Sequence, residues 1–288
     1  HIGHKKILRE LVSQAEKNNG QSILVTFWPH PRTVLHKNTS VDLLLSEEDK
    51  HLFLEEVGVD VIYLIEFTKA FSKVTADTFI NDFLINKLHV DKLIIGYNHN
   101  FGFNREGNYS YLKKNRDKYD FDIQEVKKEE IDKTLEVSSS AIREKVKTGE
   151  FSHANKMLGY KFYLDGIVEE GDGIGKTIDF PTANITSSES SKILPGDGVY
   201  AANVNVDTEK LSGMVNIGFR PTVKGKDRRI ELHIFNFNRN IYGKTLRIIF
   251  NSKIRDEIMF KNIRDLKKQL EKDKIESIKL LNNEKIRN

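Results

Sequence analysis

The chain of 288 residues contains no cysteine. That absence excludes structural disulfides and thiolate metal sites, and it suits a reducing compartment. No apolar run approaches the ~20 residues that a membrane-spanning helix needs, and no stretch reads as a secretory leader. Internal repeats and low-complexity linkers are also missing, so repeat-array and tethered-domain architectures drop out. Nor is there a strong surplus of one charge. The net charge of +4 and pI near 8.9 suit an anionic small ligand but are too weak and dispersed to argue for nucleic acid. The basic stretch Lys267, Lys268, Lys272 and Lys274 alternates with Asp265, Glu271 and Asp273, which reads as a solvated helix face. We therefore expect a cytoplasmic protein with small-molecule partners, no nucleic acid and no membrane, as a monomer or weak homo-oligomer.

A hydrophobic content of 38% is enough for ordinary cores, and the length predicts roughly two domains at about 150 residues each. Residues 1–158 alternate helical and strand patterns. Lys5–Lys17, Ser46–Val57 and Thr75–Leu88 carry apolar residues at helical spacing, while Ser22–Trp28, Asp60–Ile65 and Asp91–Gly96 are short apolar runs. Short apolar strands joined by helices predict a parallel sheet covered on both faces. Near residue 160 the texture changes. Phe162–Val168, Gly198–Val206, Leu211–Ile217, Arg229–Phe237 and Leu246–Phe250 are alternating segments separated by Gly, Pro and Asn turns, which predicts a small antiparallel barrel. A charged helical pattern from about Asp256 closes the chain. The expected domains are 1–158 and 159–288.

Chemistry-bearing residues fall into two sets. In the first, His1-Ile2-Gly3-His4 runs into a helix, whose N-terminus is a ready phosphate site, and Gly3 lets phosphates approach the backbone. Two histidines there can donate to phosphoryl oxygens as charge builds. Ser138-Ser139-Ser140 starts another helix, with Arg143 one turn inside, a residue suited to planar bidentate phosphate contacts. Alone, that segment could equally be a serine cap with a surface arginine. His30, in Trp28-Pro29-His30-Pro31, and Asn98, in Gly96-Tyr97-Asn98, lie at strand C-terminal ends, where open α/β sheets bind ligands. The chain opens at His1 without the buried strand that such a turn ordinarily follows, which leads us to expect further natural residues ahead of it.

The second set begins with Gly171-Asp172-Gly173-Ile174-Gly175-Lys176-Thr177. A P-loop fails here, because Glu170 stands where its first glycine belongs and strands follow rather than a helix. A glycine flap over phosphates, or a bare turn, remains. In Phe180-Pro181-Thr182-Ala183-Asn184, Thr182 and Asn184 offer hard oxygen ligands suited to Mg2+. On the strand around Glu231, Ile230, Leu232 and Ile234 share one face and Glu231, His233, Phe235 and Phe237 the other. A carboxylate among aromatics can accept a hydroxyl proton, which makes Glu231 the candidate general base.

In order along the chain, these segments closely resemble the prokaryotic bifunctional riboflavin kinase/FAD synthetase family. The resemblance rests on the His-x-Gly-His turn, Phe27-Trp28-Pro29-His30-Pro31, Gly96–Gly102, Ser138–Arg143, Pro-Thr-Ala-Asn, Asn216–Thr222 and Arg229–His233. It implies a nucleotidylyltransferase-like, Rossmann-like N-terminal domain, then an antiparallel β-barrel riboflavin kinase domain with a C-terminal helix. Two reactions follow from it: riboflavin plus ATP giving FMN, then FMN plus ATP giving FAD and pyrophosphate, both with Mg2+. By this resemblance His1, His4 and Arg143 act at the ATP phosphates, with Gly3, Asn98, Ser138 and Ser139 binding nucleotide and His30 close to the substrate. Gly171, Gly173, Gly175, Lys176 and Thr177 form the second nucleotide flap. Asn184 and Arg220 contact substrate, Thr182 and Asn184 hold the metal, and Glu231 is the base. An alternative is a riboflavin kinase with a weak or inactive adenylyltransferase domain, motivated by the absent leading strand and by His99-Asn100.

Overall fold

The computed structural model describes residues 1–35, 42–128, 130–131, 135–170, 174–222 and 225–285. The chain forms two compact units, His1–Val41 with Leu45–Val137, and Asp42–Leu44 with Ser138–Asn288.

In the first unit, α1 (Ile2–Lys17) leads to β1 (Ile23–Trp28), a short α2 (Pro31–Leu35), α3 (Glu47–Val57) and β2 (Val61–Glu66). Ser46 caps α3, its hydroxyl accepting from the Asp49 amide at 3.0 Å. Next come α4 (Ala76–Phe79), β3 (Lys92–Gly96), α5 (Tyr109–Lys114), β4 (Asp122–Val126) and the two-residue strands β5 (Glu130–Ile131) and β6 (Leu135–Glu136). Strands β1 to β4 pair in parallel as expected, but in two separate ladders, β1 with β2 and β3 with β4, while β5 and β6 pair antiparallel. The helix expected over Thr75–Leu88 is α4 followed by a π-helical turn, Ile80–Ile85. Its wider step shows in the Asn86 amide bonding five residues back, to Asn81 at 2.9 Å. Along this stretch Phe79 stacks on Phe83 with centroids 5.5 Å apart, and Ile80 and Leu84 lie in the core with Ile65, Ile95, Leu112 and Phe121.

The second unit opens with α6 (Ser139–Thr148) and α7 (Phe151–Leu158). A closed six-stranded antiparallel barrel follows: β7 (Tyr163–Glu169), β8 (Ala183–Ser187), β9 (Gly198–Val206), β10 (Glu209–Thr222), β11 (Gly225–Ile234) and β12 (Thr245–Arg255). Around the barrel the order is β10, β11, β8, β7, β12, β9. Leu164, Val204, Val215, Ile217, Leu232 and Ile248 are buried, as period-two alternation demands of strands with one face turned inward. Phe151 of α7 is buried and stacks on Phe250 at 5.3 Å, beside Phe162 and Tyr200. Strand β11 ends at Ile234, so Phe235 and Phe237 lie past it rather than on the Glu231 face of a strand running to Phe237.

The closing helix α8 (Ile263–Lys285) packs on β9, β10 and β12. Leu281, with Leu266, Leu270 and Leu280, joins Ile178, Phe180, Val199, Ala201, Met214 and Phe235 in one apolar cluster. The sequence pattern read Asp273 as part of a solvated face. It is instead buried at 1% exposure, and Arg255 grips both its oxygens at 2.7–3.0 Å. Lys267 likewise bonds Asp179 at 2.6 Å.

Candidate active sites

At the N-terminal motif, α1 begins at Ile2, so Gly3 and His4 sit inside its first turn. The His1 Nδ1 accepts from the His4 amide at 3.2 Å, which makes the imidazole a helix cap as well as a candidate phosphate donor. The rings of His1 and His4 stack with centroids 3.8 Å apart. A Cβ on Gly3 would come within 3.2–3.3 Å of the His1 ring, so glycine gives that stack its room. Burial among surrounding atoms, with His99 adding to it, pulls the His4 pKa down to about 4. His99 is lowered as well, by crowding first and by Arg105 second. His4 and His99 are both exposed over part of their surface, so the depression reflects crowding by neighbouring atoms rather than full enclosure. Neutral rings here can donate or accept single hydrogen bonds.

Other first-set residues line up as follows. His30 is half-buried, and its Nδ1 accepts from the Arg32 amide at 3.2 Å at the start of α2. Asn98 is exposed beyond the end of β3, and its carbonyl accepts from Asn100 at 3.0 Å. Ser138 caps α6 through a bond from the Ala141 amide at 3.2 Å, with Ser139 in the first turn. Arg143 donates from Nε to the Asp42 carbonyl at 2.6 Å, across 101 residues of sequence. The Ser138–Arg143 segment belongs to the second compact unit and the histidines to the first.

In the barrel unit, Gly171 and Gly173 lie outside the described residues. Gly175, Lys176 and Thr177 form a 3-10 turn over Ile174–Ile178, and Gly175 accepts from the Phe180 amide at 2.9 Å. A Cβ at Gly175 would collide with the Phe180 carbonyl, so only glycine lets this turn close on the segment that follows. Arg220 is placed by its backbone in β10.

The ladder registers bring three side chains into one row. Asn184 of β8 pairs with Glu231 of β11, and Glu231 pairs with Asn216 of β10. Directly paired residues share a face. Ile230 and Leu232 take the opposite, buried face. Glu231 is half-buried and Thr182, two residues before Asn184, is exposed. The Asn184 amide nitrogen lies 3.5 Å from the Glu170 carbonyl, an orientation that turns Oδ1 away from that carbonyl. A threonine hydroxyl and an asparagine oxygen fit a hard cation that takes one or two protein oxygens and completes its shell with phosphate and water. No group of three or more His, Cys, Asp or Glu residues among the described residues could hold a metal by itself.

Sequence reasoning gave no role to two neighbours that it had quoted, Asn216 and His233. Asn216 carries no chemical signal until the register sets it beside Glu231. His233 is buried, its ring 5.2 Å from Phe180 and 5.6 Å from Phe235, with Nδ1 2.8 Å from the Pro181 carbonyl. Its pKa is lowered by burial, which outweighs the opposing effect of that carbonyl. The period-two spacing from Glu231 was the available hint.

Comparison with known proteins finds two family models along the chain. A family model described as FAD synthetase matches residues 1–141, and one described as riboflavin kinase matches residues 158–281. A Haemophilus influenzae protein named bifunctional riboflavin kinase/FMN adenylyltransferase is 36% identical over 274 residues, covering 95% of this chain and 88% of its own. A Bacillus subtilis protein of the same name is 34% identical over 287 residues, covering 98% and 90%. A crystal structure from Streptococcus pneumoniae, called a macrolide-efflux protein, superposes with a TM-score of 0.85 at 29% identity, covering 95% of this chain and 88% of that one. Among the described residues, no helix is long and apolar enough to cross a membrane.

Proposed function

We infer that two consecutive reactions run on this chain, which belongs to the bifunctional riboflavin kinase/FMN adenylyltransferase family. The barrel unit phosphorylates riboflavin to FMN with ATP. The N-terminal domain then joins FMN to the adenylyl group of a second ATP, giving FAD and releasing pyrophosphate. We place the functional boundary at 158/159, supported by the riboflavin kinase match beginning at residue 158. The cytoplasm is the expected setting, in keeping with a chain that has no cysteine.

The observation that carries the kinase assignment is the row of Asn184 and Glu231 on adjacent strands. Glu231 accepts the proton of riboflavin's terminal ribityl hydroxyl as the hydroxyl oxygen attacks the γ-phosphorus of ATP and the bond from that phosphorus to the leaving ADP breaks. Thr182 and Asn184 hold Mg2+, which when bound offsets phosphate charge. The turn at Gly175, Lys176 and Thr177 flanks the nucleotide, with Arg220 toward the substrate. In the adenylyl transfer, an FMN phosphate oxygen attacks the α-phosphorus of ATP. His1, His4 and Arg143 steady the phosphate oxygens, with Gly3, Asn98, Ser138 and Ser139 around the nucleotide and His30 beside it. This chemistry relies on positioning and electrostatics, without a covalent intermediate.

Purified protein incubated with riboflavin, ATP and Mg2+, with flavins resolved by chromatography over time, tests both steps. FMN followed by FAD is the expected course. FMN accumulating without FAD would leave a kinase with an inactive adenylyltransferase, and no flavin product from folded protein would overturn the assignment.

A further inference from the structure

Strand β8 is held to β11 by a short ladder, Ala183 with Leu232 and Asn184 with Glu231. The ladder stops at Ala183, and Pro181, two residues earlier, has no N–H to give to a further ladder bond. What meets the Pro181 carbonyl is a side chain of β11, the His233 ring at 2.8 Å. A carbonyl only accepts, so the proton of this bond sits on Nδ1. The ring has little room to turn away: it is 6% exposed and lies between Phe180 and Phe235. The neighbouring backbone is anchored from its other side. Ile178 and Phe180 are seated against Leu281 of α8, and Asp179 bonds Lys267.

We propose that His233 is a positioning residue of the phosphorylation site: its ring holds the Pro181 carbonyl and so fixes Thr182 and Asn184 against Glu231. The proposal rests on the reading of Glu231, Thr182 and Asn184 given above. His233 is two residues from Glu231 on the same strand face, so one strand sets both the base and the clamp on the segment opposite it. Loss of the clamp leaves the Pro181–Thr182 backbone without a bond to β11, while Ala183 and Asn184 keep their pairing to β11 and Asn184 its pairing to β7. Displacement of reacting groups by about 1 Å costs roughly 10²-fold in rate.

His233→Ala, His233→Asn and His233→Gln, with Glu231→Gln beside them, test this. The readouts are kcat and KM for riboflavin phosphorylation, riboflavin affinity from its own fluorescence without metal or ATP, and the thermal midpoint. The Asn amide places an N–H where Nδ1 donates, whereas the Gln amide extends toward the Nε2 position. We expect His233→Ala and His233→Gln to lower kcat by roughly 10-fold to 10²-fold. His233→Asn should recover most of that loss, and riboflavin affinity should stay within about threefold across the set. Unchanged kcat in His233→Ala alongside an inactive Glu231→Gln would overturn the His233 role alone. Unchanged kcat in both would instead overturn the underlying site reading. If Ala does not fold, Asn and Gln decide: equal losses in kcat, matched by equal falls in thermal midpoint, would mean a purely structural histidine.

Discussion

The two units handle their motif residues in contrasting ways. In the barrel, Glu231 and Asn184 sit on paired strands whose inward face is buried, and every neighbouring strand is tied into a closed ring. In the N-terminal unit, α1 carries His4 yet buries none of its own residues, and β1 buries none either. Its histidines brace each other, through a cap bond and a ring stack, at a helix start. A ladder fixes a side chain through many backbone bonds made elsewhere in the sheet. A helix tip fixes it through contacts within one turn. Substitutions should therefore act sharply and selectively on the barrel chemistry, and more gradually on the first unit.

The sharpest break of that comparison is Glu231→Gln. Removing a general base lowers riboflavin phosphorylation by roughly 10²–10⁴-fold. FAD formation from supplied FMN should continue at the parent rate, and equal loss of both activities would mean the two units are not chemically separate. Second in size is Asp273→Ala. It strands Arg255 without the carboxylate that grips it, and breaking a buried pair from one side costs about 3–5 kcal/mol. Calorimetry should show the barrel transition falling while the transition of the first unit stays in place.

A pH titration sharpens the contrast further. The neutral His4 ring is the folded form, held to about 4 from 6.5, whereas the unfolded chain takes up a proton near 6.5. Its contribution to stability is therefore present above pH 6.5 and is lost as pH falls toward 4. Following the ring by NMR should give a midpoint near 4, and a midpoint near 6.5 would mean that this crowding is absent in solution. The smallest expected effect is Ser138→Ala, which removes the α6 cap and costs about 1 kcal/mol. A thermal shift confined to the barrel unit is the expected result, since α6 packs there.

Much of this was legible from residue order because it is local. Strand alternation around Ile230–Ile234, the Ser46 and Ser138 caps and the glycine of the Gly175 turn are each readable within a few positions. The π-helical turn at Ile80–Ile85 was not, since the apolar residues of Thr75–Leu88 carry ordinary helical spacing. Asp273 was misread because its partner, Arg255, lies 18 residues away on another element. The partner of His233 was hidden for the same reason, since Pro181 lies 52 positions away. Charge patterns say which residues dislike burial, but only the tertiary fold says which have found a reason to accept it.

The alternation of β11 also governs how this part of the gene can change. Glu231 stands between Ile230 and Leu232, and side chains on a strand point to opposite faces in turn. Deleting or inserting a single residue within that strand would exchange the carboxylate with an isoleucine or leucine, driving a charge inward and grease outward. A half-correct alignment has no stable place to rest. Length variation in this region is thus filtered at folding itself, before activity can be selected, and has room to accumulate only in the connections outside the ladder.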